Sequence, residues 1–522
     1  MKQAVSLPFP PCVLNPSNLR NAPPDLDSLA SSIAYASLAS SLSHQHTLPL
    51  LLTPRKYMSL RPENALALRK ALIPPDTHAD IFLHLEELPV DARLLARRGV
   101  RFALVDHNTL LPPFRDRDEA AEGDSVVVAI MDHHADDGHH AEASPRIIQI
   151  PTGSTTSLVT MFFKQRWQDA LATPIAPPRE LATLLLSGIL IDTGALKPGP
   201  SAKTTPTDRA AAEFLWRVVG SAGQTTFVDA AEAGMSIADL DAGRIDPSLS
   251  AWAEQLFAAK NDVSGLSTHD LLFRDYKEYA MPTSAPTDVL TVGLSTVPLA
   301  LAAWLSRDHA ATGIHPGWKP FVLAMDAWMR ERRLDVAGIL TTFNDPLKEA
   351  SPGDSPSSKT RGKHRRELAL FVRAREPVSP ASVSRARTIS DALIAGINSA
   401  GPILDVDVWR PSKPFKNSDA GEALVQGLED ELMAPQRAQG GGAARFGCVW
   451  RQGNASSTRK QVAPLIVSRG WGLWGTVVWA NRILGIAEGY HCGYSRARCV
   501  GTLNTQIEKK WYDGDIEHRC GN

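Results

Sequence analysis

Val126-Val127-Val128-Ala129-Ile130-Met131-Asp132-His133-His134 decides how the first half of this chain is read, because six consecutive apolar residues stop on a carboxylate and two imidazoles. A short apolar run of this kind fits a strand buried on both faces, as in a parallel sheet. Ionisable residues at its end fall where open α/β sheets hold their ligands, outside the carboxyl ends of the strands. The same figure occurs upstream, where Phe102–Val105 runs into Asp106-His107-Asn108.

Working outward, apolar runs at Leu48–Leu52, Ile81–Leu85 and Ile147–Ile150 alternate with Leu29–Leu42, Glu63–Leu72 and Ala92–Arg98, which have helical spacing. Thr156–Trp167, Glu180–Ile191 and Ala210–Val219, the last opened by Pro206, extend the pattern. Alternating strands and helices predict an α/β domain: a mostly parallel sheet with helices on both faces. The acidic stretch Asp116–Asp124 reads as a solvated loop. Composition breaks over 221–250, a linker between a first domain at 1–220 and a smaller α/β domain at 251–466. Candidate strands there are Val289–Leu294, Phe321–Ala324, Ala337–Thr342 and Leu368–Val372. Two polar segments, Ser351–Arg366 and Ala434–Ala444, read as mobile insertions.

Several classes drop out on composition. The 522 residues carry 55 Lys and Arg against 56 Asp and Glu, a net charge of −1, so no overall basic footprint points to nucleic acid. The uncharged, apolar run Val289–Leu305 is broken by Gly293, Ser295, Thr296 and Pro298 and reads as a strand followed by a core helix, not a membrane span. Five cysteines form no CxxC pair, which argues against a structural zinc site or a disulfide framework and fits a reducing compartment. Met1–Pro11 has one Lys, three prolines and no long apolar stretch, unlike a signal peptide. A cytoplasmic protein with no membrane partner is expected.

The chemistry concentrates at the strand ends. Asp25-Leu26-Asp27 precedes a helix, Asp106 and Asp132-His133-His134 end strands, and Asp192 follows the apolar run Leu184–Ile191. Singly, each has an ordinary explanation: an N-cap with a first-turn acid, a surface loop, a turn after a helix. Converging in one crevice, carboxylates and imidazole suit Mg²⁺ or Mn²⁺, with Co²⁺ also compatible. A carboxylate shared by two ions would make a two-metal hydrolytic site.

In this order the motifs resemble the DHH phosphoesterase superfamily. Asn21-x-x-x-Asp25-x-Asp27-Ser28 is similar to its first motif, Asp106 to the second, Asp132-His133-His134 to the third and Asp192 to the fourth. Asp275-Tyr276-Lys277-Glu278-Tyr279 and Thr458-Arg459-Lys460-Gln461-Val462-Ala463-Pro464 resemble marks of the DHHA2 domain. The resemblance spans roughly Pro11 to Ile466 and implies a second-family inorganic pyrophosphatase, an exopolyphosphatase or a prune-like nucleotide phosphodiesterase. Pyrophosphatases begin the first motif with His; Asn21 here, with Gly153-Ser154-Thr155-Thr156-Ser157, is similar to the eukaryotic exopolyphosphatases. The leading expectation is release of terminal phosphate from inorganic polyphosphate, with pyrophosphate as the other substrate. A silent binding protein of the same fold and a DHH nuclease are the competing classes.

The resemblance also implies roles. Asp25 and Asp192 would hold one divalent ion, Asp27 and His133 a second, and Asp106 would bridge the pair. His134 would contact the reacting phosphate and Asp132 would orient the imidazoles. Asn21 would leave the first ion to carboxylates and open the site to a longer chain. Lys277, Arg459 and Lys460 would supply cations for a polyanion from the second domain, across an interdomain cleft.

Three features depart from the pattern. Asn15–Arg20 is polar and contains Pro16, so the strand before the first motif is either short, around Cys12–Leu14, or irregular. His107, His139 and His140 match no ligand position and read as exposed loop histidines. The resemblance fades after Ile466, and 467–522, with Trp471, Trp474, Trp479 and Trp511, reads as an extension outside the catalytic fold.

Overall fold

β4 (Phe102–Val105) is buried at every position, which only a central strand covered on both faces can be. The computed structural model describes residues 12–14, 24–73, 82–115, 126–174, 176–199, 202–220, 237–283, 288–312, 318–344, 364–399, 406–411, 415–416, 418–428 and 445–452. The chain divides into two units, Met1–Gly265 and Leu266–Asn522.

In the first unit, in chain order, come β1 (Cys12–Leu14), α1 (Leu26–Leu42), β2 (Leu48–Leu51), α2 (Pro62–Lys70), β3 (Leu83–His84), β4, β5 (Val127–Asp132) and β6 (Arg146–Ile148). Then follow α3 (Thr155–Ala170), α4 (Arg179–Asp192), α5 (Pro206–Gly220), α6 (Ile237–Asp241) and α7 (Pro247–Asn261). The sheet order is β3-β2-β1-β4-β5-β6, and every pairing is parallel. The expected α/β class and parallel sheet are present, and the strand before the first motif is the short one at Cys12–Leu14. β1 pairs with both β2 and β4, so the chain order reverses there, the position where such sheets open a crevice.

The strand period sorts the core. Ala103, Val105, Ala129 and Met131 face one cluster, built with residues of α1 to α7. Phe102, Leu104, Val127 and Ile130 face the other. A bulge in the β4–β5 register lets Val127 and Ile130, three apart, share a face. Helical turns cover both faces, but unequally. On the second face Ala92–Arg98 forms two single 3₁₀ turns, Ala92–Leu94 and Ala96–Arg98, not the expected helix, and Gly99 ends them at φ 85°. α1 is buried over most of its length, and its Ala/Ser composition lets neighbours approach closely. Ser31 and Ser32 satisfy their buried hydroxyls on the carbonyls of Ser28 and Leu29. α7 lies partly in the range expected for the second domain, yet its Leu249, Trp252, Ala253 and Leu256 pack into this first core.

The second unit contains α8 (Thr268–Arg274), β7 (Tyr276–Pro282), β8 (Val289–Val297), α9 (Leu301–Thr312), α10 (Trp318–Arg332), β9 (Val336–Asn344) and β10 (His364–Arg373). It continues with α11 (Pro380–Ser399), β11 (Val406–Val408), α12 (Asp419–Gly427) and β12 (Arg445–Gln452). Its sheet runs β11-β12-β10-β9-β8-β7, antiparallel except for β8–β9. Leu368, Leu370 and Val372 pack under α11, through Ala386, Ile389 and Ile397. Aromatic pairs such as Trp304–Phe321 and Trp318–Trp409 add a second cluster.

Two expectations fail here. Phe321–Ala324 lies in α10, whose buried residues Trp318, Phe321, Val322, Met325, Trp328 and Met329 follow a helical spacing that a four-residue window hides. His364, Arg365 and Arg366 belong to β10, paired with Asn344, Phe343 and Thr342 in that order, so these basic residues are strand and not insertion. The rest of that insertion, the acidic loop, Ala434–Ala444 and the extension from 467 lie outside the described residues. No helix among the described residues is long and apolar enough to cross a membrane.

Candidate metal centre

Asp106 leaves the end of β4 with φ 63°, a left-handed backbone that Asp tolerates better than most residues. Asp132 is the last residue of β5, Asp25 caps α1 by accepting the Ser28 amide at 3.0 Å, and Asp27 sits in the first turn of α1. Asp192 ends α4. Four elements, β4, β5, α1 and α4, therefore bring their ends toward the reversal point of the sheet, and α3 joins them.

The fifth element is the start of α3. The Thr155 and Thr156 amides donate to Asp27 at 2.7 and 2.8 Å, and the Ser154 hydroxyl donates to it at 2.5 Å. A helix N-terminus offers unpaired amides and a positive dipole end, a natural seat for a buried carboxylate. The Thr155 hydroxyl donates to Asp106 at 3.0 Å, and Ser28 also donates to Asp106. His133 Nδ1 donates to the Thr152 carbonyl at 3.1 Å, which leaves Nε2 facing the carboxylates, 3.3 Å from Asp106 and 3.8 Å from Asp27. Asp132 accepts from the His134 ring at 2.8 Å and from Asn108 at 2.6 Å. The half-exposed His134 ring then lies 3.7 Å from Asp106. Asp106, His133 and His134 offer ligand atoms that all lie within 4.8 Å of one another.

Electrostatics test whether a cation fits. Burial, then the charge of Asp106, raises Asp27 to about 6. Burial, then Asp27 and Asp25, raises Asp192 to about 7. Burial pushes Asp25 the same way, but Arg61 and the Ser28 amide outweigh it and hold it below the usual value. Burial opposes charge on His133, yet Asp106, Asp27 and Asp192 draw a proton onto it, well above the usual value. His134, likewise opposed by burial, is raised to about 9 by Asp132 and Asp106. Carboxylates crowded enough to hold protons near neutrality, beside an imidazole presenting Nε2, are the donor chemistry of a divalent cation.

Of the residues expected from sequence, the structure thus gathers Asp25, Asp27, Asp106, Asp132, His133, His134 and Asp192 in the first unit. Lys277 lies in β7 of the second unit, paired with Leu294. Asn21, Arg459 and Lys460 lie outside the described residues. The loop histidines need correction: His139 is exposed, but His140 is buried, with Nε2 accepting the Leu110 amide at 3.0 Å, and His107 is half-buried with Nδ1 on the Val105 carbonyl. Sequence reading gave no role to Asn108 or to the Thr155 amide and hydroxyl. The signal for Thr155 was present, hydroxyl residues immediately before an apolar helix.

The DHH family N-terminal domain model matches residues 19–189 and the DHHA2 domain model matches residues 254–468. The chain thus carries a DHH family N-terminal domain followed by a DHHA2 domain. A Schizosaccharomyces pombe protein named "Putative exopolyphosphatase" is 34% identical over 211 residues, 38% of this chain and 51% of its own length. An Archaeoglobus fulgidus protein named "Probable manganese-dependent inorganic pyrophosphatase" is 29% identical over 206 residues, 39% of this chain and 56% of its own. The matched stretches thus span little more than half of these relatives. A crystal structure titled as a Methanococcus jannaschii "putative family II inorganic pyrophosphatase" aligns with a TM-score of 0.39 at 20% identity, over 69% of this chain and 87% of that one.

Proposed function

We propose that this chain is a metal-dependent phosphoanhydride hydrolase that releases terminal phosphate from inorganic polyphosphate. The observation that carries the reading is the convergence of His133 Nε2 on Asp106 and Asp27 at the strand ends of a DHH domain. The names of the relatives, an exopolyphosphatase and manganese-dependent pyrophosphatases, support the same reaction class. Divalent cations, Mn²⁺ or Mg²⁺, would be held by Asp25, Asp27, Asp106, His133 and Asp192 and, when bound, would neutralise phosphate charge and make water a better nucleophile at neutral pH.

The chain's own residues supply the rest. The Thr155 and Thr156 amides fix Asp27, Thr155 and Ser28 fix Asp106, and the Thr152 carbonyl sets the His133 tautomer. His134, held on Asp132 and half exposed, is placed to donate a hydrogen bond to a phosphate oxygen. Lys277, Arg459 and Lys460 are proposed to bind the remaining phosphates.

Polyphosphate is preferred over pyrophosphate on Asn21, where the pyrophosphatase pattern has a histidine. The test measures phosphate release from pyrophosphate, tripolyphosphate and long polyphosphate in Mn²⁺ and Mg²⁺, for wild type and Asp106→Asn. Activity on the longer chains, lost with Asp106→Asn or excess chelator, is expected. Preference for pyrophosphate over every longer chain would replace polyphosphatase by pyrophosphatase, and full activity of Asp106→Asn would end the metal reading.

A further inference from the structure

Asp208 is fully buried in the first turn of α5, far along the chain from every residue of the metal centre except Asp192. Two of the bonds to its carboxylate are local: the Thr205 amide and hydroxyl each donate to Oδ2 at 2.7 Å, which caps the helix. The other two are not. The Gly153 amide donates to Oδ2 at 2.9 Å and the Ser157 hydroxyl to Oδ1 at 2.7 Å. A cap needs neither of them.

Gly153 and Ser157 bracket the segment that arranges the centre. Between and beside them, Thr152 orients His133, Ser154, Thr155 and Thr156 hold Asp27, and Thr155 holds Asp106. The segment has no slack at Gly153. A Cβ built there would stand 2.7 Å from Thr193 Cγ2, 2.8 Å from Asp208 Oδ2 and 3.0 Å from the Lys203 carbonyl. Thr193 directly follows Asp192, so the same clamp reaches the end of α4.

We propose that Asp208 is a positioning residue for the metal centre: by gripping both ends of Gly153–Ser157 it sets the donors that aim Asp27, Asp106 and His133. Its own bonds go to Gly153, Ser157 and Thr205, none of them an expected ligand. The proposal rests on the metal-centre reading above and adds a residue that acts through the hydrogen-bonded layer behind the ligands. The competing account makes Asp208 a helix cap alone.

The experiment separates the two halves of the network without substrate. Mn²⁺ binding is titrated by the loss of the free-ion electron paramagnetic resonance signal, and melting is followed in chelator, for wild type, Asp208→Asn, Ser157→Ala and Thr205→Val. Asp208→Asn and Ser157→Ala are expected to weaken Mn²⁺ binding by about tenfold or more. Thr205→Val, which removes a capping hydroxyl and keeps the bonds to Gly153 and Ser157, should melt lower in chelator with Mn²⁺ affinity within about twofold of wild type. If Asp208→Asn fails to fold, Ser157→Ala decides. Wild-type affinity in Ser157→Ala and Asp208→Asn would overturn the proposal and leave the metal reading standing. A wild type that binds no Mn²⁺ would overturn both. A wild type that binds Mn²⁺ but hydrolyses no phosphoanhydride would overturn only the proposed function.

Discussion

Thr155 binds two of the expected ligands at once: its hydroxyl donates to Asp106 at 3.0 Å and its amide to Asp27 at 2.7 Å. The amide belongs to the backbone and survives any substitution but proline. The hydroxyl does not. Thr155→Val keeps the shape of this fully buried side chain and deletes one hydrogen bond to a carboxylate, an interaction worth about 1.5–3 kcal/mol. Asp106 keeps Ser28 as a donor, so the centre should be loosened and not abolished. The expected result is a several-fold weaker Mn²⁺ affinity with a lower midpoint in urea. Ser28→Ala with Thr155→Val should lose more affinity than the two singles combined, because they share one acceptor. Strict additivity in that double-mutant cycle would show that the hydroxyls do not act together on Asp106.

How far this centre was legible in the sequence depends on what kind of signal each part leaves. The ligands announce themselves, because a carboxylate at the end of an apolar run such as Val127–Asp132 interrupts a strong local pattern. The parallel sheet follows from the same runs. What aims the ligands leaves little trace: Thr155 and Asn108 work through contacts 49 and 24 residues away in sequence, which no local period encodes. His140 misled for the same reason, since a histidine in a polar loop looks exposed until the Leu110 amide is found on it. In the second unit, Phe321–Ala324 shows that four apolar residues do not distinguish a strand from one side of a buried helix.

The pH response of the metal-free chain follows from the carboxyls. Asp27 and Asp192 are raised to about 6 and about 7, against about 3.9 for an unfolded aspartate, so between those values the folded chain holds more protons than the unfolded one. Stability in chelator should therefore fall as pH rises from about 4 through 7. His133 and His134, raised as well, act in the same direction: their contribution is present below about 6.5 and is lost as pH rises through their folded values. Mn²⁺ must displace these protons, so its affinity rises over the same range. The gap in melting temperature between Mn²⁺-loaded and chelated protein is expected to widen from pH 5.5 to pH 8. A constant or narrowing gap would contradict the buried cluster as the site of binding.

Gly188 offers a test of how α4 is coupled to the centre. A Cβ placed there would stand 2.8 Å from Thr156 Cγ2 and 3.0 Å from Thr156 Oγ1, and Thr156 is fully buried. Two effects of Gly188→Ala compete. Replacing glycine inside a helix stabilises it by roughly 1 kcal/mol, whereas forcing a methyl into a filled contact costs about 1–3 kcal/mol. The second should win, because Thr156 is fully buried and sits in the turn whose amide holds Asp27 at 2.8 Å. Gly220, at the end of α5 with open space around its Cβ position, is the matched control. Gly220→Ala should melt at or slightly above wild type and bind Mn²⁺ unchanged. Gly188→Ala should melt lower in chelator and bind Mn²⁺ several-fold more weakly. If it melts higher and binds Mn²⁺ as wild type does, the contact between α4 and α3 yields without moving Asp27, and the rigidity ascribed to the Gly153–Ser157 segment is wrong.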